Sequence, residues 1–139
     1  MGEGLIRHAL SAEAEPLKSL KVISAGVAAG ENIEISENSV VSLKKVGIDM
    51  ADHLSQPTTQ KLLDESLLVI CMTESHRAVI HLQAEPPPAE LRLFREFMPR
   101  EAEKEVPDPY GGPLKLYEIC RDELVEAVPS LIAHIKTLI

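Results

Sequence analysis

Leu67-Leu68-Val69-Ile70-Cys71-Met72, followed at once by Thr73-Glu74-Ser75-His76-Arg77-Ala78-Val79, is the stretch on which the fold turns. Its first half is an unbroken apolar run, the pattern of a strand buried on both faces of a parallel sheet. An antiparallel strand with one wet face would alternate apolar and polar residues. Thr73 then supplies a side-chain oxygen for the N-terminus of a helix, and Ala78, Val79 and Leu82 give that helix an apolar face. A buried strand feeding a capped helix is the repeating unit of an α/β protein.

The flanking sequence repeats the alternation. Upstream, Met1 to Ala14 reads as a helix, with Leu5, Ala9 and Ala12, or Leu5, Ile6 and Leu10, at helical spacing and Pro16 as its stop. Leu20-Lys21-Val22-Ile23-Ser24 reads as a short strand ended by Ala25-Gly26. Ser36 to Val46 predicts a helix with Gly47 past its C-terminus, and Pro57 opens a short helix through Leu62 and Leu63. Downstream, Leu91 to Phe97 is a strand candidate interrupted by Arg92 and Arg95. Pro113 to Ile139 closes the chain as a helix. Its expected apolar side holds Leu116, Ile119, Leu124, Val128, Leu131, Ile132 and Ile135, and Pro129 kinks or splits it. The expectation is an α/β fold: a three-layer, doubly wound parallel sheet with helices on both faces, formed by a single domain over residues 1–139. The strand count is one short. A doubly wound domain of this type begins with a central strand, whereas this chain begins on a helix.

Composition narrows the partners. The chain has 139 residues, 45% of them apolar, and a formal net charge of −8, so neither a nucleic acid nor an anionic membrane is an expected partner. No apolar run approaches the length of a membrane span, and the N-terminus has no signal-peptide pattern. Cys71 and Cys120 are the two cysteines and form no Cys-x-x-Cys pair, which fits a reduced, cytoplasmic setting. His76 and His81 are badly spaced to share a metal on a helix, and His8 and His134 read as helix-surface residues. Neither metal nor cofactor is expected. Arg92, Arg95 and Arg100 form a modest basic stretch that reads as solvated.

Val106-Pro107-Asp108-Pro109-Tyr110-Gly111-Gly112 carries the clearest chemistry. It sets a carboxylate in a stiff turn just ahead of a long helix, a suitable place for a general acid. The same residues are also ordinary turn chemistry, in which Asp bonds its own backbone. Other stretches join it in order along the chain: Met1-Gly2-Glu3-Gly4-Leu5-Ile6-Arg7-His8-Ala9-Leu10, Ser24-Ala25-Gly26, Gly47-Ile48-Asp49 with His53 following, and Cys71-Met72-Thr73-Glu74-Ser75-His76. Together they resemble the low-molecular-weight protein tyrosine phosphatase family, of phosphotyrosine phosphatase I type. The Asp108 segment most resembles the bacterial branch that includes protein-arginine phosphatases.

The resemblance implies several roles. Asp108 protonates the leaving oxygen or nitrogen of a phosphorylated protein or small phosphate ester. Tyr110 forms the aromatic wall beside the substrate, and Pro109 fixes the turn. His53 and Ser24 support the phosphate-binding loop, although His53 reads equally as the cap of its own loop. That loop, a Cys-x-x-x-x-x-Arg segment following the first strand, falls ahead of Met1 by the same resemblance. The domain is therefore expected to be N-terminally truncated, lacking its central strand and nucleophile. Cys71 to Arg77 also spells Cys-x-x-x-x-x-Arg, but it has no Gly or Asn for a backbone cradle. Glu74 would oppose a phosphate dianion, Thr73 caps a helix, and the resemblance aligns the segment with a non-nucleophilic strand. A buried, inert Cys71 is the expectation.

Three functions follow. The first is a phosphatase-lineage protein, hydrolysing phosphotyrosine or phosphoarginine by descent and inactive as written. The second is a non-catalytic binding pseudo-phosphatase, whose open strand edges predict a homodimer. The third is an arsenate reductase relative, disfavoured because Cys71 has no nearby cysteine to relay electrons.

Overall fold

The apolar run forms strand β1, Val69–Cys71, paired in parallel with β2, Leu91–Leu93. The computed structural model describes residues 1–26 and 32–139. Val69 lies opposite Leu91, Ile70 opposite Arg92 and Cys71 opposite Leu93. Parallel neighbours need a crossover, and α4, Glu74–Gln83, supplies it. Thr73 caps that helix as its sequence predicts, its Oγ1 accepting the His76 N–H at 3.2 Å. The other helices are α1 (Gly2–Ser11), α2 (Glu37–Lys44), α3 (Gln60–Asp64) and α5 (Leu114–Thr137), with a 3-10 turn at Leu17–Ser19.

Alternation along β1 sends side chains to two apolar layers. Cys71 joins Leu93, Ile80 and Ala84 on the α4 side. Leu68, Ile70 and Met72 pack against the larger core on the opposite face. That core joins Leu5, Ile6 and Leu10 of α1 to Leu43 of α2 and to Leu124, Leu131 and Ile135 of α5. Helices on both faces of a parallel pair make this an α/β fold. The start of α1 lies close to the strand end: a Cβ on Gly2 would stand 2.8 Å from Met72 Cε.

Ser36 caps α2 through its Oγ, 3.3 Å from the Ser39 N–H, and Gly47 adopts φ +82 past its end, a left-handed geometry that suits glycine. α5 runs unbroken through Pro129. The carbonyl that Pro129 leaves without its helical donor belongs to Val125, which is 43% exposed, on the outer side of the helix.

Five expectations need correction. Leu20–Ser24 is extended but not a strand; Ile23 is 42% exposed. A strand needs a ladder partner on its edge, whereas the carbonyls of Val22 and Ser24 accept from the side chains of Arg7 and Gln56. α1 stops at Ser11 rather than Ala14, because the Ala12 N–H tightens onto the Ala9 carbonyl and the Glu13 N–H onto the Leu10 carbonyl, three residues back instead of four. α3 begins at Gln60 with Thr59 as its cap, since Pro57 is held in a bridge with Gly26. β2 ends at Leu93, where Glu96 Oε1 takes the Leu93 N–H at 3.1 Å and the chain turns. On α5, Leu116 and Ile119 face solvent at 46% and 43% exposure, while Tyr117 and Cys120 turn inward.

Candidate functional site

A groove of about 800 Å³ opens between the extended segment Leu20–Ala25 and β1. The start of α1 borders it through Gly2, Glu3 and Ile6, and Leu62, Leu63 and Ile80 border it as well. Asp108, Ser24 and Gly26 also line it.

Asp108 is held at the carboxyl end of β1 by its own segment. The Val106 N–H donates to the Met72 carbonyl at 2.9 Å, and Val106 itself is buried. The carboxylate accepts the Tyr110 N–H on Oδ1 at 2.9 Å. This is the Asx turn that Asp-Pro favours, and it engages one oxygen of an exposed carboxylate. Gly111 takes φ +79, and a Cβ on Gly112 would meet Leu116 Cδ1 at 2.7 Å and the Pro109 carbonyl at 3.0 Å. The turn-chemistry reading and the functional reading of the segment thus coexist. Pro109 is half-buried within the turn, and Tyr110 points outward, 83% exposed.

Ser24 and His53 meet at the other side of the groove. Ser24 Oγ donates to Glu3 Oε1 at 3.0 Å and lies 3.2 Å from His53 Nε2. A hydroxyl has one proton, so with Glu3 taking it, the His53 nitrogen donates. His53 Nδ1 stands 3.5 Å from Glu3 Oε2, which is also paired with Arg7. Arg7 reaches on to the Val22 carbonyl at 3.2 Å. The network fixes the start of α1 to the extended segment. Sequence reasoning singled out Ser24 and His53 but not Glu3, their common partner. The Glu3/Arg7 spacing, an i,i+4 pair on one helix face, was the available clue.

Cys71 borders the groove from the strand wall yet is only 4% exposed. Burial pushes both its thiol and that of Cys120 up to about 11. Arg77, the arginine of the Cys-x-x-x-x-x-Arg spelled from Cys71, is held by Glu74 at 2.5 Å and Glu96 at 2.7 Å. Neither the thiol nor the guanidinium is poised for a phosphate. A consequence is measurable. The ordinary value is 9.0, and the folded thiols titrate higher, so the native state keeps protons that the unfolded chain releases. This contribution to stability is complete below pH 9.0 and is lost as pH rises toward about 11. Urea midpoints should fall across that window, and fall less in Cys71→Ala; a flat profile would contradict the burial argument.

Two other sequence readings change. Arg95 is not solvated: it is 5% exposed, and its guanidinium donates to the carbonyls of Glu103 at 2.7 Å and Glu123 at 2.6 Å. A buried arginine meeting backbone carbonyls pins the 94–105 segment to α5. His134 is half-buried, stacked on Phe97 with ring centroids 4.0 Å apart and 3.1 Å from Glu90. Among the described residues no cluster of His, Cys, Asp and Glu is arranged to hold a metal. No described helix is long and apolar enough to cross a membrane.

Comparison with known proteins identifies the lineage. A family model described as low molecular weight phosphotyrosine protein phosphatase matches residues 1–138. A protein-arginine-phosphatase from Bacillus subtilis (strain 168) is 32% identical over 136 residues, covering 98% of this chain and 87% of that protein. A low molecular weight protein tyrosine phosphatase from T. tengcongensis superposes with a TM-score of 0.84 at 31% identity, over 96% of this chain and 88% of that one. An arginine phosphatase from Geobacillus stearothermophilus superposes at 0.81 with 27% identity, over 98% and 83%. With an α/β fold, an anchored Asp-Pro-Tyr-Gly-Gly loop and a match along nearly all its length, the chain belongs to the low molecular weight phosphotyrosine protein phosphatase family.

Proposed function

We propose that these 139 residues form a single domain carrying the general-acid half of a phosphatase site for phosphotyrosine or phosphoarginine. The observation that carries this is the position of Asp108, on a loop anchored to the end of β1 and facing a groove bordered by the start of α1. In the family's covalent mechanism a thiolate takes the phosphoryl group while the departing oxygen or nitrogen needs a proton. Asp108 gives that proton. Tyr110 stands beside the substrate as an aromatic wall, and Pro109 keeps the turn stiff. Ser24 and His53, tied to Glu3, hold the wall on which a phosphate loop rests.

We infer that these 139 residues by themselves do not hydrolyse phosphate esters. Neither cysteine replaces the nucleophile. With a thiol near 11, only roughly one Cys71 in ten thousand is thiolate at neutral pH. Substrates of the completed site are phosphorylated proteins or small phosphate esters in the cytoplasm. The charge of −8 disfavours nucleic acid and anionic lipid as partners. No metal or cofactor takes part.

The test is a chimera that joins a family strand and Cys-x-x-x-x-x-Arg loop ahead of Met1. The chimera is expected to turn over p-nitrophenyl phosphate, phosphotyrosine or phosphoarginine, and the parent is not. A folded chimera without turnover of any of the three would contradict the assignment of the Asp108 loop.

A further inference from the structure

The loop that carries Asp108 is tied down at both ends, by different elements. Its entry is fixed where the Val106 N–H donates to the Met72 carbonyl at 2.9 Å. Its exit is held from outside the loop. Asn38 Nδ2, in the first turn of α2, donates to the Gly112 carbonyl at 3.4 Å, from 74 positions away in the chain. The exit needs such a tie. Gly111 takes φ +79, and two successive glycines restrain a backbone less than any other pair. Pro113 follows them and brings no side-chain cap to α5.

α2 presents that amide from a fixed position. Ser42, one turn further along α2, gives its carbonyl to the buried guanidinium of Arg121 at 2.9 Å, and Lys45 pairs with Glu118 at 3.1 Å. The start of α2 is thereby held against the start of α5. Capping α2 falls to Ser36, whose Oγ accepts the Ser39 N–H, and so leaves Asn38 to reach across. Between the two ties lie Asp108 and its Asx turn. A carboxylate that must meet a departing atom within hydrogen-bond reach loses rate when its loop wanders. At 3.4 Å the Asn38 bond is long for its kind, so it biases the loop severalfold instead of locking it.

We propose that Asn38 is a positioning residue for the general acid: its side-chain amide holds the exit of the Asp108 loop, so that the carboxylate is presented in one place. The inference rests on reading Asp108 as the general acid. The bond and the helix that carries it can be tested apart. Aspartate at position 38 has the shape of asparagine, and its charge suits the first turn of a helix. It has no N–H to give, and it would set an anion against the Gly112 carbonyl.

The experiment compares Asn38→Ala and Asn38→Asp with the parent. In the 139-residue protein the Gly112 N–H donates to the Pro109 carbonyl at 2.9 Å. Hydrogen exchange of that amide should quicken about fivefold in both variants, as expected for one lost hydrogen bond. Tm should stay nearly level in Asn38→Asp, whose charge supports the helix. In the loop-bearing chimera both variants should lower kcat about fivefold with KM little changed, and more on phenyl phosphate than on p-nitrophenyl phosphate. In an Asp108→Asn background, Asn38→Ala should cost nothing further, because the group it positions is already gone. Unchanged Gly112 exchange in both variants would overturn the tie. A loss of kcat that persists undiminished in the Asp108→Asn background would overturn its link to Asp108. A chimera without turnover would overturn the acid reading and with it the positioning role, whatever Gly112 shows, so the two failures are distinguishable.

Discussion

Replacing Asp108 with asparagine in the loop-bearing chimera is expected to lower kcat by about 10²–10⁴-fold, the usual contribution of a general acid. Asparagine is the informative change because it retains an oxygen for the Asx turn. Asp108 Oδ1 accepts the Tyr110 N–H at 2.9 Å, and an amide oxygen does the same. The loop geometry stays and the transferable proton goes. KM should change little, since an interaction made only in the transition state appears in kcat. The loss should also depend on the leaving group. Phenyl phosphate, whose phenolate leaves poorly without a proton, should suffer more than p-nitrophenyl phosphate. An equal loss on both esters would assign Asp108 to loop structure alone.

Phe94→Ala should cost about 3–5 kcal/mol, the range for removing a buried aromatic ring. Phe94 is 1% exposed and sits in the larger core. Its N–H bonds the Cys71 carbonyl, and its ring lies beneath the start of α1, where a Cβ on Gly2 would come within 3.2 Å of Cε2. The ring therefore joins the strand pair to the helix that borders the site. Domains of this size have about 5–15 kcal/mol in total, so the loss should appear as a fall in Tm of about 10–20 °C. Phe94→Leu keeps most of the volume and should lose clearly less. Equal losses from Leu and Ala would mean that the ring's packing is not what joins these elements.

The sequence was most legible where local chemistry decided the outcome. Leu67–Met72 with Thr73 behind it is self-contained: the apolar run, the cap and the helical face agree, and β1 and α4 form as expected. Ser36 and Gly47 bracket α2 for the same reason. Leu20–Ser24 failed as a strand because strand identity depends on what lies alongside, which no local pattern reports. Leu116 and Ile119 misled because α5 turns Tyr117 and Cys120 inward in their place. Arg95 looked like a surface cation because its partners, the carbonyls of Glu103 and Glu123, are backbone groups that leave no trace in a sequence. At the candidate site the Asp108 loop was legible from its turn residues. The role of Glu3 as common partner to Ser24, His53 and Arg7 was not, since it joins segments distant along the chain.

The proposed role of Asp108 as general acid goes with the proposal that neither Cys71 nor Cys120 serves as a nucleophile. The most direct test is hydrolysis of p-nitrophenyl phosphate by the purified 139-residue protein, alongside its Cys71→Ser variant. No turnover above buffer from either protein is the predicted result. Turnover by the parent that disappears in Cys71→Ser would contradict it, and would make the buried thiol at the end of β1 a working nucleophile.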